Sequence, residues 1–304
     1  MIIDSTTSNA IYSNLSAEFH DGFESYKSIS EVFTKRVPST GKDNVYDWFG
    51  PSPGFMEWKE NTARTIRNVN ELDFTVTNIE YDDTIRVGKN KIADNQISQY
   101  NEKAFKMGAE AAQKEDKLVF DLFNNAFTTN TTYDSVAWCG ATHTAGLKTI
   151  ANAATTVLTD TSLKAGITAM RSFKSQGDKL SDEVPLNPNP EFILLAPPAL
   201  EWSAKVLLEN ERKSDGATNE LKGSAQLFVT SWLSSSTAWY LINIGAPMKP
   251  VFIQEREKPQ FFDLNMGNSD MALMTGSFIY AANFRMAALP TLPWFIYGST
   301  GATT

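Results

Sequence analysis

Large apolar residues recur every three or four positions near the start of the chain, which is the spacing of one helical face. The series contains Ile11, Leu15, Phe19, Phe23, Tyr26, Ile29 and Phe33. Gly22 falls inside this series, and glycine weakens a helix at an interior position. The pattern therefore predicts an amphipathic N-terminal helix that is interrupted at Gly22.

A second series at helical spacing runs through residues 94–127 without a proline. Its apolar positions are Ile97, Tyr100, Ala104, Met107, Ala111, Leu118 and Leu122. Asp94 precedes them and has the side chain of a good N-cap residue. At a rise of 1.5 Å per residue the helix is about 45 Å long, so it must pack along a body of similar length.

Two stretches between these helices alternate apolar and polar residues, which is typical of strands with one wet face. The first is "ELDFTVT" at residues 71–77, and the second is "TIRV" at residues 84–87. The polar segment "NIEYDD" lies between them. We expect two strands that pair as a hairpin.

The second half of the chain mixes the two periodicities. A helix capped at Thr159 is expected to end near Gly177, and "EFILLAP" at residues 191–197 is a buried strand followed by a helix through "ALEWSAKVLLENER". The final third is rich in strands, including "PVFIQE" and "QFFDL" as separate segments. The predicted class is α+β without βαβ alternation.

A loop of unusual composition precedes the first predicted strand. "YDWFGPSPGFMEW", residues 46–58, carries Trp48, Phe49, Phe55, Met56 and Trp58 among prolines and glycines. Proline and glycine disfavour regular buried elements, so this apolar area lies on a loop. Two interpretations remain: the loop covers a local cluster of its own chain, or it contacts a neighbouring molecule.

Composition narrows the choice of function. The chain has 304 residues and is 42% apolar, so it can form a substantial core. Its formal net charge of -8 means that duplex DNA or an anionic membrane would be repelled on average. Cys139 is the single cysteine, which excludes an internal disulfide. We expect no signal peptide and no membrane-spanning segment, and a protein that stays where it is made.

Motifs for catalysis are largely missing. The sequence has no Gly-rich phosphate loop, dinucleotide fingerprint or paired-histidine zinc motif, and only two histidines, His20 and His143. Cys139 and His143 lie four residues apart, which permits the hypothesis of a thiolate nucleophile activated by imidazole. The alternative is a buried structural thiol beside a hydrogen-bonded histidine. No cofactor and no metal are predicted.

The order of amphipathic arm, aromatic loop, extended strands, long helix and mixed α+β remainder resembles the major capsid proteins of tailed bacteriophages with the Hong Kong 97-like fold. More narrowly, the chain is similar to the Mu-like major head subunit family. The resemblance is carried by "YDWFGPSPGFMEW", "NELDFTVT", "DTIRVGKNKIADNQISQY", "MGAEAAQKEDKLVFDLF" and "YDSVAWCGATH". Ser135 is a departure, because the family has Tyr-Asp-Gly where this chain has Tyr-Asp-Ser.

The resemblance implies a division of the chain. Residues 1–45 would be an N-terminal arm and residues 46–92 an extended loop, called the E-loop. A peripheral domain would cover residues 93–157, with a spine helix at 94–127. Residues 158–250 would form an axial domain, and residues 251–304 would return to the peripheral domain as strands.

The resemblance also implies a function that is structural and not enzymatic. Copies would assemble as pentamers and hexamers of an icosahedral shell that encloses a double-stranded DNA genome, in the virion and, during assembly, in the host cytoplasm. The E-loop residues Trp48, Phe49, Phe55, Met56 and Trp58 and the arm residues Ile11, Leu15, Phe19 and Phe23 would contact other subunits. Ile97, Tyr100, Met107, Leu118 and Leu122 would pack the spine helix.

The implied partners are a separate scaffold, a portal and decoration proteins, with no sequence-specific nucleic acid and no membrane. Two alternatives from other classes stay open. One is a thiol hydrolase that uses Cys139 and His143. The other is a different phage structural part, such as a tail tube or decoration subunit, which a long central helix disfavours.

Overall fold

The computed structural model describes residues 5–49, 58, 60, 62–63, 71–94, 96–176, 183–213, 216–264 and 276–302. Within them the helices are α1 (Ser5–Ser25), α2 (Lys89–Ala93), α3 (Ser98–Asn124), α4 (Asp160–Ser172) and α5 (Glu201–Leu208). The first nine strands are β1 (Thr34–Pro38), β2 (Asp43–Phe49), β3 (Glu71–Thr77), β4 (Ile79–Gly88), β5 (His143–Ala145), β6 (Lys148–Ile150), β7 (Ala153–Ala154), β8 (Lys174–Gln176) and β9 (Glu183–Pro185). The remainder are β10 (Phe192–Ala196), β11 (Gln226–Val229), β12 (Trp239–Asn243), β13 (Val251–Asp263), β14 (Ser277–Pro290) and β15 (Ile296–Ser299).

One layer of the molecule is a four-stranded sheet covered by two long helices. Its strand order is β1-β13-β14-β4, with β1 parallel to β13 and the other pairs antiparallel. The segments "PVFIQE" and "QFFDL" are parts of the single strand β13, which changes register between Glu255 and Gln260. Helices α1 and α3 cover the sheet, and the cluster between them contains Leu15, Met107 and Tyr280.

The contact between α1 and α3 depends on two glycines. A Cβ atom on Gly22 would lie 2.0 Å from the carbonyl oxygen of Phe105, and one on Gly108 would lie 2.0 Å from that of Phe19. The two backbones approach so closely that no side chain fits at either position. The predicted interruption at Gly22 is therefore wrong: α1 is continuous from Ser5 to Ser25, and the glycine is where it touches α3.

The second layer is a five-stranded sheet with the order β11-β10-β12-β15-β7. Every residue of β10 and β12 is buried, as expected for strands covered on both faces. Phe192 and Leu194 face the cluster that includes α4 and α5, whereas Ile193 and Leu195 face the carboxyl-terminal half of α3. Strands β10 and β11 are parallel neighbours, and the connection between them contains α5. This layer therefore contains one βαβ unit, which the sequence pattern did not predict.

Helix α3 links the layers. Ala104 and Met107 near its start belong to the cluster of the four-stranded sheet, and Phe120 and Phe123 near its end belong to that of the five-stranded sheet. Its 27 residues span about 40 Å. The predicted start at Asp94 is wrong, because Asp94 ends the short helix α2 and Ile97 occupies the N-cap position of α3 without a side-chain cap.

The strands near the aromatic loop pair differently from the pattern's prediction. Strand β3 pairs with β2, from Asp43 opposite Thr77 to Phe49 opposite Glu71. Strand β4 pairs instead with β14 and includes the supposed turn "NIEYDD" from residue 79 onward. The residues of β4 therefore belong to the body sheet, and the hairpin outside that sheet begins at residue 43.

Sheet membership also crosses the boundaries that the resemblance implies. Strand β1 lies in the four-stranded sheet although it falls within the expected arm. Strands β7 and β15 both lie in the five-stranded sheet, although residues 93–157 and 251–304 were expected in the peripheral domain. The physical reason is hydrogen bonding: β15 lies between β12 and β7, so the last strand completes the second layer.

A Gly108→Ala variant tests the α1–α3 contact. Alanine is favoured over glycine within a helix by about 1 kcal/mol, so an unconstrained site would be stabilised. Here the added methyl group meets backbone atoms of α1. We expect a lower melting temperature and faster proteolysis within residues 5–25.

Gly88→Ala is the matched control, because nothing lies within 4 Å of a Cβ at Gly88. Equal protease resistance of the Gly108→Ala and wild-type proteins would contradict the close contact.

Candidate assembly surfaces

The hairpin β2–β3 is held at its base by Asn78. This buried residue donates from Nδ2 to Ser39 Oγ at 2.8 Å and to the Gly41 carbonyl at 2.9 Å. Its backbone N–H donates to the Lys42 carbonyl, and the N–H of Ser39 donates to the Glu255 carbonyl of β13. One asparagine thus closes the base of the hairpin next to the four-stranded sheet.

The two faces of the hairpin have different surroundings. Tyr46, Phe74 and Val76 are half-buried against the body, and Tyr46 donates from its hydroxyl to Gln254 Oε1 at 2.8 Å. On the other face Val45 is exposed, and most of the residues around it on that face are polar. A two-stranded ribbon is marginally stable alone, so a further covering surface on its outer face would stabilise it.

The five aromatic-loop residues are only partly within the described structure. Trp48 and Phe49 belong to β2, opposite Leu72 and Glu71 of β3. Trp58 is 55% exposed and donates from Nε1 to the Thr62 carbonyl at 3.0 Å. Phe55 and Met56 lie outside the described residues. Contact of these residues with another subunit stays a prediction.

The arm residues have an intramolecular role. Ile11, Leu15 and Phe19 are buried in their own chain, and Phe23 is partly buried against the same cluster. Phe19 stacks on Phe261 of β13 with ring centroids 5.4 Å apart. Helix α3 and the four-stranded sheet already cover Ile11, Leu15 and Phe19 within the chain. Contact of the arm residues with other subunits stays a prediction.

The side chains expected to pack the spine helix lie on its inner side. Met107 and Leu122 are buried. Ile97, Tyr100 and Leu118 are partly buried and pack against the cluster of α1 and the four-stranded sheet.

Asp116 of α3 anchors the segment that follows α1. Its carboxylate accepts hydrogen bonds from the Tyr26 hydroxyl at 2.6 Å, the Ser28 hydroxyl at 2.7 Å, and both the N–H and the hydroxyl of Ser30. The Ile29 N–H donates as well. Burial alone raises the pKa of this carboxyl, but these hydrogen bonds outweigh it and lower the pKa below its ordinary value. The charged form is thus the one that holds the segment.

The preceding residue, Glu115, has the opposite electrostatics. Its Oε2 accepts from Arg36 of β1 at 2.6 Å, and the same guanidinium contacts Glu255 of β13 at 3.2 Å. Its Oε1 is buried and has no hydrogen-bond partner among the described residues. Burial raises the pKa of Glu115 to about 7 against the opposing effect of Arg36, and the charges of Asp116, Glu31 and Glu255 add to the increase.

A Glu115→Gln variant should alter the pH dependence of stability. The folded pKa of about 7 lies above the ordinary value of 4.5, so this group contributes stability fully below pH 4.5 and loses it as the pH rises through about 7. Glutamine has no proton to lose in this range. We expect the melting temperature of the variant, relative to wild type, to increase between pH 5 and pH 8.

Glu110→Gln on the exposed side of the same helix is the control and should leave the pH profile unchanged. Parallel profiles for wild type and Glu115→Gln would show that the carboxyl does not titrate in this interval.

The segment from residue 130 to 145 is held by an Asp–His pair. His143 Nδ1 lies 2.9 Å from Asp134 Oδ2, and Thr132 donates to Asp134 Oδ1 at 2.8 Å. Burial raises the pKa of Asp134, but the hydrogen bonds from His143 and Thr132 dominate and lower it to about 2. The Asp134–His143 pair therefore stabilises the conformation of this loop.

Cys139 does not form a catalytic pair with His143. The thiol is buried, and burial raises its pKa, which disfavours the thiolate. His143 Nε2 has no hydrogen-bond partner among the described residues, so the imidazole does not bind the thiol. The structure gives the thiol hydrolase alternative no support, and both residues pack the loop.

Ser135 is the one non-glycine residue with positive φ in the described chain, at 59°. This left-handed region costs an ordinary L-residue about 1 kcal/mol relative to glycine. The position at which the sequence departs from Tyr-Asp-Gly is thus one where the backbone favours glycine.

A Ser135→Gly variant should therefore raise the free energy of unfolding by about 1 kcal/mol, measured by denaturant titration. Ser172→Gly at the end of α4 is the matched control, since the same change in a helix is destabilising. A Ser135→Gly protein less stable than wild type would show that the loop does not need a glycine there.

Helix α5 carries an exposed tryptophan that the sequence analysis did not identify as a candidate contact residue. Trp202 is 75% exposed and Val206 is 52% exposed, whereas Ala204 and Leu208 of the same helix are buried. Lys205 lies over the Trp202 ring with Nζ 4.8 Å from the centroid. The signal was available: Trp202 and Val206 are four residues apart, off the stripe formed by Leu200, Ala204 and Leu208.

Other classes of site are not found in the described part of the chain. No group of three or more His, Cys, Asp or Glu side chains there is arranged to hold a metal ion. None of the described helices combines the length and hydropathy that a membrane crossing requires.

Comparison with protein families gives two overlapping matches. The family model described as phage capsid protein matches residues 80–289. The model described as Mu-like prophage major head subunit gpT matches residues 8–146. Together they cover the arm, the hairpin, α3 and most of both sheets.

Two curated relatives extend over nearly the whole chain. The Mu-like prophage FluMu major head subunit of Haemophilus influenzae is 20% identical over 91% of this chain and 67% of its own length. The major capsid protein of Escherichia phage Mu is 21% identical over 95% of this chain and 72% of its own length.

Two solved phage shells have a similar fold. The procapsid of bacteriophage JBD30 matches with a TM-score of 0.59 and 18% identity, over 99% of this chain and 77% of that one. The mature capsid of bacteriophage PhiM1 matches with a TM-score of 0.57 and 10% identity, over 90% and 87% of the two chains. These likenesses confirm the predicted α+β fold of the Hong Kong 97-like class.

Proposed function

This chain belongs to the phage capsid protein family, and from that premise we propose that its copies form pentamers and hexamers that close into an icosahedral shell around a double-stranded DNA genome. It is a major capsid protein of a tailed phage, and the virion is where it acts. We further propose that the copies assemble in the host cytoplasm on a separate scaffold, with a portal at one vertex.

The hairpin β2–β3 is the observation that carries the proposal. It stands outside both body sheets, its base is closed by Asn78, and its inner face rests on Tyr46, Phe74 and Val76. The sequence between its strands holds Trp58, which is half-exposed in its own chain. A rigid base with apolar residues beyond it suits a contact to the body of the next copy.

Such a contact joins two different surfaces, because the hairpin of one copy meets the body of another. Head-to-tail contacts of this kind generate closed rings when the rotation closes, which is what pentamers and hexamers require. Each contact is weak by itself and the ring makes several at once, so misplaced copies can dissociate before the shell closes.

The N-terminal arm also contributes to the body of its own subunit. Because α1 is packed along α3, and Asp116 holds residues 26–30, the arm stiffens the body that receives the neighbouring hairpin. A stiff body transmits the geometry of one contact to the next. We assign no catalytic role to Cys139 or His143.

Substitution of Trp58 tests the proposed contact. We expect Trp58→Asp to abolish capsomers and particles seen by negative-stain microscopy and sedimentation, because a charge would be buried at the interface. Trp58→Phe should retain them. The melting temperature of the unassembled chain should change little, since the side chain is half-exposed.

Leu147→Ala is the control, because Leu147 is a 70% exposed apolar residue on the turn between β5 and β6, outside the hairpin's sequence. Wild-type yields of particles from Trp58→Asp would refute the role of this residue. A wild-type protein that never assembles would refute the proposed function itself.

A further inference from the structure

Two surfaces of the five-stranded layer are unexplained by the hairpin contact. One is the outer face of α5, where Trp202, Val206 and Glu209 are exposed at positions i, i+4 and i+7. The other is a cleft of about 620 Å³ lined by Arg171, Pro185, Asn187, Pro188, Asn189 and Pro190. We propose that Trp202 of one copy inserts into this cleft of the next copy in a ring.

This inference rests on the proposed function, because it needs copies arranged head to tail. The two surfaces lie at opposite ends of β10. Pro190 comes two residues before that strand, and Trp202 stands in the first turn of α5, which follows its carboxyl end. The strand alone spans about 16 Å. Trp202 remains 75% exposed, so the cleft of its own copy does not take it and the side chain is available to a neighbouring copy.

The cleft is built on a fixed wall. Asn187 is buried and donates from Nδ2 to the carbonyls of Met170 and Trp294, at 3.0 Å and 2.8 Å. Its Oδ1 accepts from Asn243 Nδ2 at 2.9 Å. This amide therefore holds the proline segment against α4 and the second sheet. A preformed wall reduces the ordering cost of binding.

The chemistry of the two surfaces is complementary. Proline-rich segments bind aromatic side chains, and guanidinium groups stack on indole rings. The cleft offers prolines and the exposed Arg171, while α5 offers the indole of Trp202 and, on the same face, the carboxylate of Glu209. Lys205 lies near the Trp202 ring.

The contact differs in kind from a two-fold dimer interface. The outer face of α5 and the cleft are different surfaces of one chain. Each copy therefore uses α5 to contact one neighbour and its cleft to contact the other. This gives the second layer of the subunit its own ring-forming contact, additional to the hairpin. The hairpin contact and the α5–cleft contact together determine how each copy is oriented relative to its neighbours in the ring.

Cysteine pairing tests the inference directly. Trp202→Cys and Asn189→Cys are single variants at exposed positions, and native Cys139 is buried. Under mild oxidation, capsomers formed from a mixture of the two variants should yield disulfide-linked dimers, and the double variant should yield a ladder up to the ring size. Neither single variant alone should cross-link.

Glu24→Cys mixed with Asn189→Cys is the control, because Glu24 is exposed on α1 in the other layer. If the wild-type chain forms capsomers and the Trp202/Asn189 pair does not cross-link, this contact is overturned while the proposed function stands. If the wild-type chain stays monomeric, both fail.

A charge exchange gives a second measurement that does not depend on cysteines. Glu209→Arg and Arg171→Glu should each raise the protein concentration needed for assembly by about tenfold, and the double variant should restore it toward wild type. Trp202→Ala should raise that concentration by about tenfold or more. Additive losses in the double charge variant would count against the contact.

Discussion

The structure depends on one helix that is buried in two different cores. The first half of α3 packs with α1 on the four-stranded sheet, and its last turns pack with Phe33, Phe228 and Tyr240 in the core of the five-stranded sheet. Fully burying a large apolar side chain stabilises by about 1.5–3 kcal/mol. A rod of 27 residues fixed at both ends makes the two layers behave as one body.

Buried polar groups fix the orientation of the segments attached to this body. Asp116 collects five hydrogen bonds from the segment after α1, Asn78 closes the hairpin, and Asn187 supports the proline segment. Apolar packing is non-directional, whereas a buried carboxylate or amide must have its partners in place. These three residues therefore determine where the arm, the hairpin and the cleft point relative to the rod.

The physical problem of a shell subunit is to be stable alone and adhesive at defined places. Most large apolar side chains of the described chain are buried in its three clusters. Two of the exposed ones, Trp58 and Trp202, stand at the hairpin loop and on α5. Tryptophan is the residue that most often dominates protein interfaces. The acidic balance of the chain also disfavours binding of the enclosed genome to the shell.

The sequence by itself determined the local elements, because their signals lie in residues close along the chain. The repeat from Ile97 to Leu122 predicted the long helix, the alternation in "ELDFTVT" predicted β3, and Thr159 predicted the start of α4 through its capping side chain. The order of these elements was enough to suggest the capsid fold. Positions near an element's end were less secure, as Asp94 shows, since short helix turns compete for the same residues.

Only the tertiary structure decided which elements pair and which apolar faces are covered. Strand β4 pairs with a strand far along the chain, as the hydrogen bond from Arg86 to Ser277 across 191 residues shows, and no local pattern carries that choice. Gly22 has the same local signature as a helix breaker, but the backbone of α3 makes it a contact point. Trp202 lies off the apolar stripe of its helix, but only the burial of Ala204 and Leu208 on the other side of α5 shows that it stays uncovered. Whether an apolar side chain is buried depends on elements that are distant in the sequence. That burial distinguishes a core residue from one that can bind a partner.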